Sequence, residues 1–299
     1  MATSAALDRV RELYKTIAPE SGELALEELR ERYEALLASA PVPDDIEVTP
    51  AEADGVAALR VRAPGASAGR TLVWLHSGGY VLGSARGYRA FGYELSRAAD
   101  ATVLLVDYRL APEHPHPTAL DDALAATGWA LAQGNPESTV LGGDSAGGAL
   151  CVATLVGLRD RGGPMPAAAV CVSPMLDLAA TGESMDTRAH LDPACNRDTV
   201  AMLAGAYLGG GDVMDPTASP LYADVAGLPP MLVMAGTAET LLDDSVRLAD
   251  KVRAAGGDVT LEIADDMVHI WPLFHWILPE GRASVSRIGD FVRDHSKPA

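Results

Sequence analysis

The sequence predicts an α/β fold in which a mostly parallel central sheet carries helices on both faces, with a helical cap. Three observations predict it. Apolar strand-like runs alternate with helix-periodic segments along most of the chain. The later runs, such as Val103-Leu104-Leu105-Val106, are continuously apolar, as strands covered on both faces must be. A glycine-rich turn, Gly143-Asp144-Ser145-Ala146-Gly147-Gly148, joins one of these runs to a small-residue helix. At 299 residues and 48% hydrophobic content, the chain can bury a large core as one α/β unit.

Two acidic, amphipathic segments come first. Glu23 to Leu37 places Leu26, Leu29, Tyr33 and Leu36 at helical spacing on one face, and Pro41 and Pro43 end the helical region. Extended runs are expected at Ile46–Thr49, Val56–Arg62, Thr71–His76, Thr102–Asp107, Thr139–Gly142, Ala168–Ser173, Met231–Ala235 and Val259–Ile263. Helical patterns lie between most of them, at Ala85–Ala99, Ala119–Ala132, Ala146–Arg161, Leu241–Ala255 and Ala283–Asp294. The first two runs are more polar and fit antiparallel edge strands.

One stretch breaks the alternation. Residues from about 178 to 228 hold a helix-like piece (Thr199–Leu208), a triple-glycine break at 209–211 and the proline-rich Asp215-Pro216-Thr217-Ala218-Ser219-Pro220. An insertion of that length between strands reads as a lid. The expected organisation is therefore N-terminal cap helices over 1–45 and a main domain over 46–299 that carries the cap insertion.

Composition narrows the class of function. The net charge of −18 disfavours nucleic acid and anionic membranes as partners. No apolar run reaches the ~18 residues of a membrane span, and the first residues lack the basic and apolar regions of a signal peptide, so a cytoplasmic location is expected. Three cysteines without C-x-x-C spacing argue against a disulfide framework or zinc site; Cys151 and Cys171 read as packing residues. No metal or organic cofactor is called for. The oligomeric state stays open, with a homodimer compatible with the sequence.

The glycine-rich turn fits G-x-S-x-G, with Gly143 and Gly147 flanking Ser145. A strand reversing sharply into a helix brings backbone segments together, leaves no room for neighbouring Cβ atoms and exposes the serine Oγ. A second glycine loop, His76-Ser77-Gly78-Gly79-Tyr80, follows the strand that begins at Thr71. Its N–H groups, with that of Ala146 after the serine, are placed to hold the charge developing on a carbonyl oxygen in acyl transfer. His76 is read as fixing the loop backbone rather than as a base.

The base and acid fall in later loops. His269 follows Val259–Ile263, and Glu239 follows Met231–Ala235. In a parallel sheet both loops reach the edge that carries Ser145. Of seven histidines, His269 has this placement; His114, His116, His190, His275 and His295 lie in turns, the insertion, an aromatic cluster or the tail. Asp243 and Asp244 compete with Glu239, but they sit at the start of the next helix, where capping or solvated acids are expected. Tyr80, Trp271 and Phe274 are candidates to line a substrate pocket, with core packing the alternative.

Three motifs in order now carry a resemblance: the glycine loop at 76–80, Asp107-Tyr108-Arg109-Leu110-Ala111-Pro112-Glu113-His114-Pro115, and the serine turn at 143–148. Together they resemble the hormone-sensitive-lipase-like carboxylesterases of the α/β-hydrolase fold. The resemblance implies Ser145 as nucleophile, His269 as base, Gly78, Gly79 and Ala146 as oxyanion hole, and a small-molecule ester as substrate. It favours short to medium acyl chains, while lactones, amides and carbamates remain open to the same groups. The chain departs from the family at two places. Ser77 stands where the family usually has the first of three glycines, and Glu239-Thr240 stands where an aspartate and proline are common. A plant hormone receptor of similar fold that has lost its histidine marks the alternative of ligand binding alone; here His269 is present.

Overall fold

The structure, a computed structural model, describes residues 4–17 and 24–299. The expected helix start at Glu23 and the first three residues lie outside the described residues. In chain order the elements are α1 (Ser4–Lys15), α2 (Leu26–Leu37), β1 (Glu47–Ala53), β2 (Val56–Arg62), β3 (Thr71–Leu75), α3 (Arg89–Ala99), β4 (Thr102–Val106), α4 (Thr118–Gln133), β5 (Thr139–Asp144) and α5 (Ala146–Asp160). They continue as β6 (Ala168–Val172), α6 (Ser184–Thr187), α7 (Arg197–Leu208), β7 (Met231–Gly236), α8 (Leu242–Ala254), β8 (Val259–Ala264) and α9 (Pro279–His295).

The strands form one sheet in the order β1-β2-β4-β3-β5-β6-β7-β8. β1 and β2 pair antiparallel, as do β2 and β4, and every pairing from β4 to β8 is parallel. Among the first two strands only β1 lies at an edge, because β2 also pairs with β4. β1 runs through Pro50 to Ala53, further than expected from the sequence. An edge strand tolerates the missing N–H of a proline on its open side. α9 likewise begins early, with Pro279 in its first turn, where a fixed φ and an absent N–H cost nothing.

The core follows the apolar runs. Leu72, Val73, Trp74 and Leu75 of β3, Val103 to Val106 of β4 and Met231 to Ala235 of β7 are all buried. β8 at the opposite edge is only half-covered and leaves Ile263 exposed. α2 buries Tyr33 and Leu36 of the expected face together with Leu37, and leaves Leu26 and Leu29 half-buried. At about 25 cal/mol per Å² of apolar surface, each fully buried Leu or Val contributes roughly 1.5–3 kcal/mol.

Parallel pairing has one consequence for chemistry. The loops after β3, β5, β7 and β8 all leave the same edge of the sheet. Between β6 and β7 the chain supplies α6 and α7 instead of a short crossover. α7 starts on a reciprocal cap, with Thr199 N–H donating to Asn196 Oδ1 at 2.9 Å, and stops at Gly209 in the left-handed region (φ 58°). No helix among the described residues is long and apolar enough to cross a membrane.

Candidate active site

Ser145 sits between β5 and α5 with φ 55° and ψ −120°, a backbone conformation that L-residues rarely adopt. The surroundings hold it there. A Cβ at Gly147 would run into the Leu75 carbonyl oxygen and lie 2.6 Å from that of His76, so only glycine lets the turn pack against β3. Ser145 N–H donates to Val172 O at 2.9 Å, which ties the turn to β6. The side chain is left pointing across the sheet edge.

The loops after β7 and β8 meet it. Ser145 Oγ lies 2.9 Å from His269 Nε2, and His269 Nδ1 lies 3.2 Å from Glu239 Oε2. Glu239 is fully buried, and its other oxygen accepts from Gly236 N–H at 2.5 Å and Ser173 Oγ at 2.9 Å. A carboxylate is only an acceptor, so it draws the imidazole proton to Nδ1 and leaves Nε2 to accept from Ser145. Burial disfavours the His269 cation. The hydrogen bond and charge of Glu239 outweigh this, with Asp192 and Asp144 adding, and the pKa ends above the usual histidine value. Burial pushes the Glu239 carboxyl up against the pull of His269.

The glycine loop after β3 faces the same point. Gly78 and Gly79 have φ of 117° and 61°, and a Cβ at Gly78 would strike the Leu82 carbonyl oxygen. Among the described residues the N–H groups of Gly78, Gly79 and Ala146 have no protein acceptor. Ala146 opens α5, so its N–H also carries the positive end of the helix. His76 Nδ1 lies 2.7 Å from Ser77 O, and its ring stacks on Tyr108 at 4.2 Å. This histidine shapes the loop and does not reach Ser145.

A cavity of about 590 Å³ opens over these groups. Ser145 and His269 lie at its floor, Tyr14, Leu29 and Tyr33 of the N-terminal helices on one wall, and Cys195, Met202 and Leu203 of the segment between β6 and β7 on another. The volume falls within the range that encloses a small organic ligand.

Tyr80, Trp271 and Phe274 do not line this cavity, contrary to the expectation from sequence. Each aromatic side chain finds a better-packed position inside. Tyr80 stacks on Tyr207 at 3.8 Å. Trp271 Nε1 donates to Ser284 Oγ at 2.9 Å, and Phe274 packs edge-on to Tyr14 at 5.2 Å. Asp243 and Asp244 stand in the first turn of α8, as the sequence suggests, but in place of capping that helix or facing solvent their carboxylates bind another segment. Asp243 accepts from Ser184 N–H at 2.8 Å, and the buried Asp244 accepts from Leu176 and Asp177 N–H at 2.8 and 3.0 Å. Both anchor the segment after β6, with Glu239 on His269.

Sequence reasoning missed several neighbours. Ser173 donates to Glu239 and accepts from Ile270 N–H at 3.0 Å. It follows β6 directly, so its place at the sheet edge that carries Ser145 could have been inferred from the parallel sheet. Tyr14 Oη donates to His269 O at 2.6 Å across a separation of 255 residues, which no local pattern reveals. Asp192 ties the segment between β6 and β7 to the loop after β7. Its carboxylate accepts from Thr240 N–H at 2.8 Å and from Ala194 and Cys195 N–H at 2.9 and 3.1 Å.

Known proteins share this arrangement of chain. The α/β hydrolase fold family matches residues 72–273. An acetyl-hydrolase of Streptomyces hygroscopicus is 45% identical over 231 residues, covering 77% of this chain and 77% of that protein. The crystal structure of an esterase from the bacterial hormone-sensitive lipase family matches with a TM-score of 0.96 at 47% identity, covering 99% of this chain and 100% of that one. The crystal structure of EstE5 soaked with p-nitrophenyl butyrate matches with a TM-score of 0.92 at 44% identity, covering 98% and 99%. The chain belongs to the α/β-hydrolase-fold family, among the esterases of the hormone-sensitive lipase type.

Proposed function

We propose that the chain is a serine carboxylesterase that hydrolyses short- to medium-chain acyl esters through an acyl-enzyme on Ser145. One observation carries the reading. A buried line of hydrogen bonds runs from Glu239 through His269 to Ser145 Oγ, and its Ser145 end lines a 590 Å³ cavity.

The chemistry follows from the proton positions. As Oγ attacks the ester carbonyl, its proton passes to His269 Nε2, and Glu239 steadies the imidazolium that forms. The carbonyl oxygen becomes an anion, which the N–H groups of Gly78, Gly79 and Ala146 are free to hold. A single donor of this kind is worth about 10²–10³-fold in rate. The His269 proton then passes to the departing alkoxide, and the alcohol leaves. Water enters by the same route, yields its proton to His269 and releases the acid and Ser145. The N-terminal helices and the segment between β6 and β7 act as the cap that excludes bulk water.

Chain-length preference rests on the bounded, mostly apolar walls of the cavity. The soaked relative, whose ester was a p-nitrophenyl butyrate, is in keeping with it. The test is a p-nitrophenyl series from acetate to palmitate, run on the wild type and on Ser145→Ala, with a lactone, an amide and a carbamate beside it. Hydrolysis peaking at short or medium chains and abolished by Ser145→Ala is expected. An inactive wild type on every ester overturns the reading; activity retained in Ser145→Ala overturns the nucleophile.

A further inference from the structure

Ser77, the residue that departs from the glycine usual in the family, sits within a chain of hydroxyl groups. Tyr33 Oη of α2 is hydrogen-bonded to Ser77 Oγ, and Ser77 Oγ lies 2.5 Å from Tyr88 Oη. Tyr88 Oη in turn lies 2.5 Å from Asp144 Oδ2, whose other oxygen accepts from Trp74 Nε1 at 2.8 Å. All of these side chains are buried.

Proton counting fixes the direction of the chain. Ionised Asp144 only accepts, so Tyr88 gives it its one proton. The Tyr88 oxygen is then an acceptor, and it takes both Ser77 N–H at 3.1 Å and the Ser77 hydroxyl. The Ser77 oxygen is left to accept, so Tyr33 donates to it. The result runs one way, Tyr33 to Ser77 to Tyr88 to Asp144, each bond polarising the next. Asp144 is the residue before the nucleophile, and Ser77 is the residue before Gly78. The chain therefore joins α2, the glycine loop and the serine turn. α2 grips the same loop once more downstream, where Arg30 Nε donates to Val81 O at 3.0 Å.

We propose that Ser77 is a positioning residue for the anion-binding N–H groups of Gly78 and Gly79, held in place from the cap helix α2 by Tyr33. A glycine at this position has no hydroxyl to receive Tyr33, so the link belongs to this chain's own departure from the pattern. The proposal rests on the esterase reading for its kinetic consequence and on the hydroxyl chain for its structural one. The link fixes the donors that bind the developing oxyanion; Tyr33 and Ser77 also line the cavity, but removing a hydroxyl from either keeps the ring and the Cβ that form its wall. Its loss lowers kcat and spares KM.

The experiment uses Ser77→Ala, which removes only the hydroxyl, Tyr33→Phe, which removes only the donor, and the double variant. Kinetics are followed with p-nitrophenyl butyrate at pH 8, where Asp144, raised by burial to about 6, is ionised. Each single variant is expected to lose about tenfold in kcat, part of the ~10²–10³-fold that one oxyanion donor supplies, with KM within about threefold of wild type. The double variant is expected to match the worse single one, because both break the same chain. Amide hydrogen exchange across residues 76–82 reads the loop without substrate, and it is expected to speed up in all three. An active wild type whose Ser77→Ala variant keeps kcat within twofold overturns the proposal, as does a double variant whose losses multiply. Unchanged exchange overturns it whatever the enzyme hydrolyses. Should Ser77→Ala fail to fold, Tyr33→Phe carries both readouts alone.

Discussion

Replacing Glu239 by glutamine changes one oxygen to an amide, yet the geometry makes the expected loss large. The carboxylate meets donors on every side. Oε1 takes Gly236 N–H at 2.5 Å and Ser173 Oγ at 2.9 Å, and Oε2 takes His269 Nδ1 at 3.2 Å. Glutamine has one acceptor oxygen and one donating amide. If the amide faced Gly236, two N–H groups would meet at hydrogen-bond distance in a buried site, so the oxygen stays on that side. The amide then faces His269 and forces Nδ1 to accept. The ring proton moves to Nε2, where it points at Ser145 Oγ, and the base is lost. A wrong tautomer of this kind costs about 10⁴ in kcat, or about 5 kcal/mol of transition-state stabilisation. Burst and steady-state hydrolysis of p-nitrophenyl butyrate measure it, with Asp243→Asn as the comparison. Asp243 holds Ser184 N–H and not His269, so its variant is expected within a few-fold of wild type. A Glu239→Gln variant within tenfold of wild type, or a larger loss in Asp243→Asn, refutes the reasoning.

Other expectations concern pH and stability. Because Glu239 and the nearby carboxylates outweigh burial at His269, the acid limb of kcat/KM is expected to inflect above the ordinary value of about 6.5; an inflection below 6 would count against the paired base. Gly143→Ala puts a Cβ against the Gly147 carbonyl and 2.8 Å from Leu75 O, both backbone, so a loss of about 1–3 kcal/mol or more is expected, read as a fall in Tm together with activity. Asp244 is raised by burial to about 7, so the folded protein holds a proton there that the unfolded chain releases. Stability from this group is thus lost as pH rises from about 4 to 7, and the Tm of Asp244→Asn relative to wild type is expected to climb between pH 5 and 8; a pH-independent difference would contradict this.

Much of the fold was legible because its signals are local. The apolar runs of β3, β4, β5 and β7 announce buried parallel strands, and parallel strands alone put the loops holding Ser145, Glu239 and His269 on one edge. Boundaries slipped where tertiary context decides them. β1 passes through Pro50 because its open side needs no donor, and α3 begins at Arg89 instead of Ala85, where Asp107 Oδ1 takes the Ala85 N–H at 2.8 Å within the preceding loop. Neither fact is written in the residues nearby.

The site divides along the same line. Backbone chemistry is local, so the strained turn at Ser145 and the left-handed glycines of the loop after β3 follow from their own few residues. Side-chain placement at the rim is not local, and the aromatic residues show why. Tyr80, Trp271 and Phe274 adjoin the glycine loop and the His269 loop in sequence, yet burial against Tyr207, Ser284 and Tyr14 draws them inward. Tyr14 and Tyr33 are distant in sequence, yet each reaches one of these loops with its hydroxyl, Tyr14 at His269 O and Tyr33 at Ser77. An amphipathic helix predicts that such a tyrosine faces the core, but the polar atom at its tip then needs a partner there. In this chain the partners are the loops that hold Ser77 and His269. The N-terminal helices therefore do more than wall the cavity: their tyrosines complete hydrogen bonds to both loops.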